Sequence, residues 1–280
     1  MSNTPVSEDF PGEKVQQAVQ SGPAGSMAAG LFDLSGKLAL VTGGARGLGR
    51  VAAEAFAAHG ARVVLLDRLT DQVHRTAEEL SAAGYEAHAI AGDLTDADVR
   101  RRVRAATDSL GSLDVLVNAA GVVRRKDIRD TTVEDLDWLW AVNVRGLVAL
   151  TQEYLRDMIA RRQGKIINLA SLGSRIGLER RTAYAVTKGA VAQYTVSLAS
   201  EVGKHGICVN AVAPGYVDTD MTADWLWGDK DRTDAMLNRI PLGYFARPEQ
   251  LAGVFVFLAA PASDYLTGQI VVVDGGWTSQ

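Results

Sequence analysis

Tyr184 and Lys188 stand four residues apart in Tyr184-Ala185-Val186-Thr187-Lys188, inside a stretch (182–204) whose spacing predicts a helix. An i, i+4 pair shares one helix face, so phenol and ammonium become neighbours. A free phenol has a pKa near ~10, too high for a base at neutral pH, and a nearby cation favours the phenolate. A depression of ~3 units requires ~4 kcal/mol of differential interaction. Ser171 ends an apolar run upstream, and its hydroxyl can hold a reacting oxygen against the phenol. By itself, Tyr-x-x-x-Lys arises often by chance and marks a surface tyrosine. Ser171 and the glycine loop described next make chance a poor explanation.

That loop is Thr42-Gly43-Gly44-Ala45-Arg46-Gly47-Leu48-Gly49, between an apolar run and a helically spaced one. Gly43 permits a tight turn, Gly47 lets a pyrophosphate approach the backbone, and Gly49 lets helix pack on sheet. The following helix offers free N–H groups and a positive dipole to phosphates. Asp67 ends the next apolar run, where a carboxylate can accept hydrogen bonds from both hydroxyls of an adenosine ribose. Asp93, in Gly92-Asp93-Leu94, can hold an adenine amino group or cap the helix that follows; the two readings are nearly balanced. Asn118-Ala119-Ala120-Gly121 combines small residues that leave room for a ribose with the composition of an ordinary turn.

These residues need elements to position them. Apolar runs at 37–41, 61–66, 85–91, 113–118, 165–169, 207–213 and 269–273 read as strands. Between them lie helical patterns at 47–59, 70–83, 96–109, 132–162, 182–204 and 248–259, and a helical insertion at 219–240. Strands separated by helices imply parallel pairing with right-handed crossovers. The expectation is a single-domain α/β fold over 31–280, a doubly wound, Rossmann-like parallel sheet in three layers. Every motif above falls at the carboxyl end of a strand, where such sheets bind ligands. Residues 1–30, rich in Ser, Gly, Pro, Gln and Ala, are expected to form a flexible arm.

Across 31–280 the chain resembles the short-chain dehydrogenase/reductase family. The matching elements are TGGARGLG at 42–49, NAAG at 118–121, Asn143 in VNVRG, Ser171, YAVTK at 184–188 and Pro214-Gly215. The family commonly has NNAG, so Ala119 is a departure. The resemblance implies hydride transfer between a nicotinamide and an alcohol or carbonyl. It makes Tyr184 the general acid/base, with Lys188 lowering its pKa and binding the nicotinamide ribose. It makes Ser171 the group that orients the substrate oxygen and Asn143 a support for a water-mediated proton path. It implies cofactor contacts along Gly43, Arg46, Gly47, Leu48 and Gly49, at Asp67 and Arg68, at Asp93 and Leu94, at Asn118, Ala120 and Gly121, and at Pro214, Gly215, Val217 and Thr219. It also implies a homotetramer, and a mobile substrate lid at about 219–240 carrying Trp225 and Trp227.

For substrate, Arg124 and Arg125 follow the fourth strand's end and resemble the subgroup that oxidises gluconate- and deoxygluconate-type sugar acids. A guanidinium holds a carboxylate by paired hydrogen bonds. Arg180 and Arg181 offer the same, while solvated loop arginines remain nearly as good a reading. Polyols, steroids and 3-oxoacyl thioesters are the other substrate classes, and a non-catalytic cofactor sensor is the other function class. Asp67 favours NAD over NADP: two unit charges at ~4 Å cost ~4 kcal/mol at an effective dielectric near ~20. Arg46 and Arg68 pull the other way, although Arg68 can instead stack on adenine.

Composition excludes several alternatives. A net charge of -4 gives no hint of a nucleic-acid partner, and Arg100, Arg101, Arg102 and Arg104 read as a solvated helix face. Four scattered histidines and one cysteine, Cys208, suggest neither a metal site nor a disulfide. No apolar run reaches membrane-spanning length and no signal-peptide pattern opens the chain, so a cytoplasmic location is expected.

Overall fold

The computed structural model describes residues 30–279, so the arm expected over 1–30 lies outside them but for Gly30. Seven strands form one sheet: Leu38–Thr42 (β1), Arg62–Asp67 (β2), Ala87–Ala91 (β3), Val115–Asn118 (β4), Gly164–Leu169 (β5), Ile207–Pro214 (β6) and Ile270–Val273 (β7). All pair in parallel, in the order β3-β2-β1-β4-β5-β6-β7. The doubly wound sheet expected from the alternation of strand and helix patterns is the one the chain forms.

The sheet is covered on both faces, which is why its central strands read as continuous apolar runs. Successive residues of a strand face opposite cores. Ala39 and Val41 join Phe56 of Gly47–Ala58 (α1), Val73 of Thr70–Ala82 (α2) and Phe255 of Ala252–Ala259 (α9). Leu38 and Leu40 join Val103 of Ala97–Leu110 (α3), Leu150 and Met158 of Leu147–Arg161 (α5) and Val202 of Thr182–Val202 (α6). Strand order reverses direction between β1 and β4, opening a crevice at the carboxyl ends of those strands.

Two expectations need correction. The helix read over 132–162 is two: Val133–Trp140 (α4), with a Thr132/Asp135 capping box, and α5, joined by a π-helical turn at Ala141–Gly146. One widened turn is averaged out in a long apolar periodicity. The insertion at 219–240 is likewise two helices, Ala223–Trp227 (α7) and Lys230–Arg239 (α8). A Cβ on Gly228 would lie 2.3 Å from the Asp224 carbonyl, and Asp229 then caps α8 by accepting the Arg232 N–H at 3.0 Å. The last described residues pack inward. Trp277 is buried with Leu226, Met236 and Phe245, so the C-terminus forms the base on which the lid sits.

The basic run of α3 is engaged on its own surface. Arg104 pairs with Asp108 and Asp157, Arg101 with Asp98, and Arg100 and Arg102 donate to the Leu94 and Ala91 carbonyls.

Candidate active site

The glycine loop is bound to the β4 loop by one hydroxyl. Thr42 Oγ1 accepts the N–H groups of Ala119 and Ala120, each at 3.1 Å. Gly43 has φ +69°, and a Cβ there would sit 2.9 Å from the Ala120 backbone. A Cβ on Gly49 would lie 2.2 Å from the Gly43 carbonyl, so helix α1 starts against the turn only because glycine stands there. Gly47 differs: at φ +57°, its Cβ direction is open, with Thr219 Cγ2 at 3.9 Å across the gap. This is a cradle at a helix N-terminus, of the kind that takes a phosphate.

From this cradle a cleft of about 490 Å³ runs between two ends. Asp67, Arg68, Asp93 and Leu94 line one end, and Ser171, Tyr184, Arg125 and Trp138 the other. Ala120, Gly121, Pro214, Gly215, Val217 and Thr219 line its length, with Gly43, Arg46, Gly47, Leu48 and Gly49 at the loop. Asp67 accepts the N–H groups of Ala45 (3.1 Å) and Leu69 (3.0 Å), one on each carboxylate oxygen. Each oxygen keeps a further lone pair for a ribose hydroxyl. Asp93 accepts the N–H and Oγ1–H of Thr95 at 2.8 and 2.7 Å, while Asp96 caps α3. The capping alternative for Asp93 therefore falls away. Arg46 reaches Asp220 at 3.2 Å, bridging the glycine loop to the lid.

Ser171 follows β5, and its Oγ accepts the Gly173 N–H at 3.1 Å. Tyr184 lies in the first turn of α6, next to Ser171. Lys188 is one turn on, its Nζ 5.9 Å from the phenol ring centroid. Thr187 Oγ1 donates to the Tyr184 carbonyl at 2.8 Å and accepts from Asn143 Nδ2 at 3.0 Å. Asn143 is fully buried in the π turn. Its amide also donates to the Val122 carbonyl (2.9 Å) and accepts the Val122 N–H (2.8 Å). The asparagine thus clamps the β4 loop to α6, and Gly121 lies close under both Asn143 and Lys188.

The electrostatics differ from the sequence reading. Burial pushes the Tyr184 phenol up, opposed by the Ser171 hydrogen bond and then by the Arg181 and Arg125 guanidiniums. Lys188 is not among the groups that lower it. Its ammonium donates to the Leu169 carbonyl, and burial brings it down to about 8. Sharing a helix face set the two residues side by side, but the long lysine stem carries its charge past the ring to the end of β5.

Two other assignments are corrected by placement. Asn118 does not line the cleft. Its side chain is turned into the sheet, donating to Thr151 Oγ1 (3.1 Å) and Asn168 Oδ1 (2.9 Å). Arg124 also turns away, pairing with Asp135 at 3.4 Å and lying 4.4 Å over Trp138. Its neighbour Arg125 lines the cleft and donates to the Met221 carbonyl at 3.2 Å. Successive residues of an extended loop point opposite ways, which separates an arginine pair adjacent in sequence. Arg180 has φ +57°, and it is Arg181 that packs 4.3 Å over Trp225. Of the lid tryptophans, Trp225 faces inward between Arg181 and Arg232, while exposed Trp227 donates to Asp218 at 2.9 Å. Sequence reasoning missed Arg232, Trp138 and Asp220. Asp220 meets Arg46 only across the fold, and the partners of Arg232 (Trp225) and Trp138 (Arg124) lie beyond one helical turn, so no i, i+3 or i, i+4 spacing marks these contacts.

The family model described as enoyl-(acyl carrier protein) reductase matches residues 43–278. The chain is 39% identical over 249 residues to a gluconate 5-dehydrogenase of Gluconobacter oxydans, covering 89% of this chain and 97% of that one. It is also 39% identical to a galactitol 2-dehydrogenase (L-tagatose-forming) of Cereibacter sphaeroides, with the same two coverages. The crystal structure of a gluconate 5-dehydrogenase from Burkholderia cenocepacia, in complex with NADP and tartrate, superposes with a TM-score of 0.86 at 35% identity. That match spans 90% of this chain and 99% of that one.

Proposed function

This chain belongs to the short-chain dehydrogenase/reductase family, and from that membership we propose that it interconverts a secondary alcohol and a ketone on a polyol or sugar acid, using NAD. The observation that carries this reading is one cleft joining a glycine cradle to Ser171 and Tyr184. The open Gly47 cradle, the spare lone pairs of Asp67 and the small residues of the β4 loop fit a dinucleotide's phosphates, adenosine ribose and second ribose in turn. When bound, the nicotinamide supplies hydride exchange with the carbinol carbon. The protein's residues do the rest. Ser171 and Tyr184 hold the substrate oxygen between two hydroxyls. Tyr184 takes the hydroxyl proton as the alcohol is oxidised and returns it when the ketone is reduced. The Arg125 and Arg181 charges favour the phenolate. Lys188, whose Nζ lies 5.9 Å from the Tyr184 ring centroid, would hold the nicotinamide ribose. Asn143 acts as a positioning residue through Val122 and Thr187.

The preference for NAD rests on Asp67. Its carboxylate would meet the phosphate that distinguishes NADP, a repulsion of ~4 kcal/mol for unit charges at ~4 Å and an effective dielectric near ~20. Arg46, the cation of the glycine loop, is paired with Asp220, which offsets its charge. NADP is named in the Burkholderia relative's complex, so the proposed preference for NAD rests on Asp67 of this chain and not on that relative. We further propose a homotetramer working in the cytoplasm. The test of the function is a panel of sugar acids, polyols and acyl thioesters, followed by NADH absorbance. Turnover of acyl thioesters alone would overturn the substrate class.

A further inference from the structure

Three guanidiniums surround one indole of the lid. Arg125, Arg181 and Arg232 lie 5.7, 4.3 and 4.8 Å from the Trp225 ring centroid. Arg232 is accounted for: its Nε and Nη2 donate to the Trp225 carbonyl at 3.1 and 2.6 Å, and Asp229 stands 4.0 Å away. Arg125 and Arg181 are not. Among the described residues neither has a carboxylate within ion-pair distance. Arg125 donates only to the Met221 carbonyl, and Arg181 only to the Tyr216 hydroxyl at 3.5 Å. The Nε of each is buried without a partner.

Two cations held on one indole, partly desolvated and with no carboxylate in ion-pair contact, are costly unless something completes the site. The cost is visible in Arg125, whose guanidinium is pushed down by burial and then by Arg181. Arg125 lines the cleft beside Ser171 and Tyr184, Arg181 shares the Trp225 indole with it three residues before Tyr184, and both charges act on the Tyr184 phenol. A planar carboxylate matches the unused donors of a guanidinium fork. We propose that Arg181 and Arg125 together form the carboxylate-binding end of the substrate site, with Arg181 the residue that selects an acid over a neutral polyol. The inference rests on the dehydrogenase reading above and narrows its substrate class. The inward face of Trp225 serves as the platform that fixes Arg181, so lid position and anion binding are coupled.

The test uses the full chain, with Arg181→Gln and Arg181→Lys beside the wild type. Two readings are taken: kcat/KM for gluconate and for galactitol, and calorimetric titration with tartrate as an anionic probe. Losing one charge-assisted pair should lower the gluconate-to-galactitol ratio about 10- to 100-fold in Arg181→Gln, chiefly through KM, with partial return in Arg181→Lys. Tartrate affinity should fall at least about tenfold in Arg181→Gln. An unchanged ratio, or equal tartrate affinity, overturns the proposal. Should the wild type turn over neither alcohol, the dehydrogenase reading for these substrates fails, while the tartrate titration still decides the anion site. Arg125→Gln reads the same site if Arg181→Gln does not fold, and the same fall in tartrate affinity is expected of it; unaltered affinity there overturns the proposal.

Discussion

At the scale of single residues, the phenol, the buried lysine and the β2 carboxylate each make a separable prediction. Tyr184→Phe removes the phenol hydroxyl and with it the transferable proton, so turnover should fall by ~10²–10⁴ or more while cofactor still binds. Near-native turnover would exclude Tyr184 as the acid/base. Lys188 brings a stability prediction. Its folded pKa is about 8 against an ordinary 10.5, so the unfolded chain holds the proton more strongly. Below pH 8 both states are protonated and the folded state carries the full penalty, of order ~3 kcal/mol; stability is regained as pH rises from 8 to 10.5. Lys188→Met should therefore raise Tm at pH 7 even after losing the Leu169 hydrogen bond, worth ~1 kcal/mol, and the gain should vanish above pH ~10.5. A lower Tm at pH 7 would mean the ammonium is stabilising where it lies. For Asp67, wild-type kcat/KM should favour NAD over NADP, and Asp67→Ala should shrink that ratio. A wild-type preference for NADP would refute the role given to this carboxylate.

At the scale of elements, the site depends on where three segments meet: the β4 loop, the π turn and helix α6. Asn143 ties them through Val122 and Thr187 in a fully buried position. Asn143→Ala leaves a buried N–H and carbonyl unpaired, at ~1–3 kcal/mol for each unsatisfied group. We expect ~2–5 kcal/mol of lost stability in urea unfolding, with a lower kcat in the folded fraction. A loss within ~0.5 kcal/mol would mean the clamp carries no weight. The lid is a second such meeting. Its inner face packs on Tyr216, Phe245 and Trp277, so the C-terminal turn supports the segment that covers the substrate end.

At the scale of the whole molecule, association should follow from the exposed face of α4. Val133, Leu136 and Trp140 recur at helical spacing, 67%, 40% and 46% exposed, and form a stripe that a second copy can cover. Light scattering at micromolar concentration should give a tetramer, and Trp140→Glu should lower the assembly state. A monomeric wild type would refute the proposal. Trp277 contributes nothing to such an interface, being buried under the lid.

Sequence alone determined the sheet, because strand and helix periodicities differ and each face of β1 to β6 is filled by alternate residues. It also determined the glycine loop and the Ser171, Tyr184, Lys188 set, since those depend on local spacing at strand ends and within one helix. Tertiary structure decided what depends on direction and on distant partners. Adjacent arginines separated, with Arg124 going to Asp135 and Arg125 to the cleft. Asn118 turned into the sheet, because a strand-end side chain faces either the ligand or the core and composition does not say which. Trp225, in the lid with Arg232, gathered Arg125 and Arg181 from two other segments of the chain. The Tyr184 phenol followed the same rule: burial pushes it up, and the groups that oppose this are Ser171 and then Arg181 and Arg125, brought to it across space, because electrostatic interaction depends on where groups end up and not on how far apart they lie in the chain.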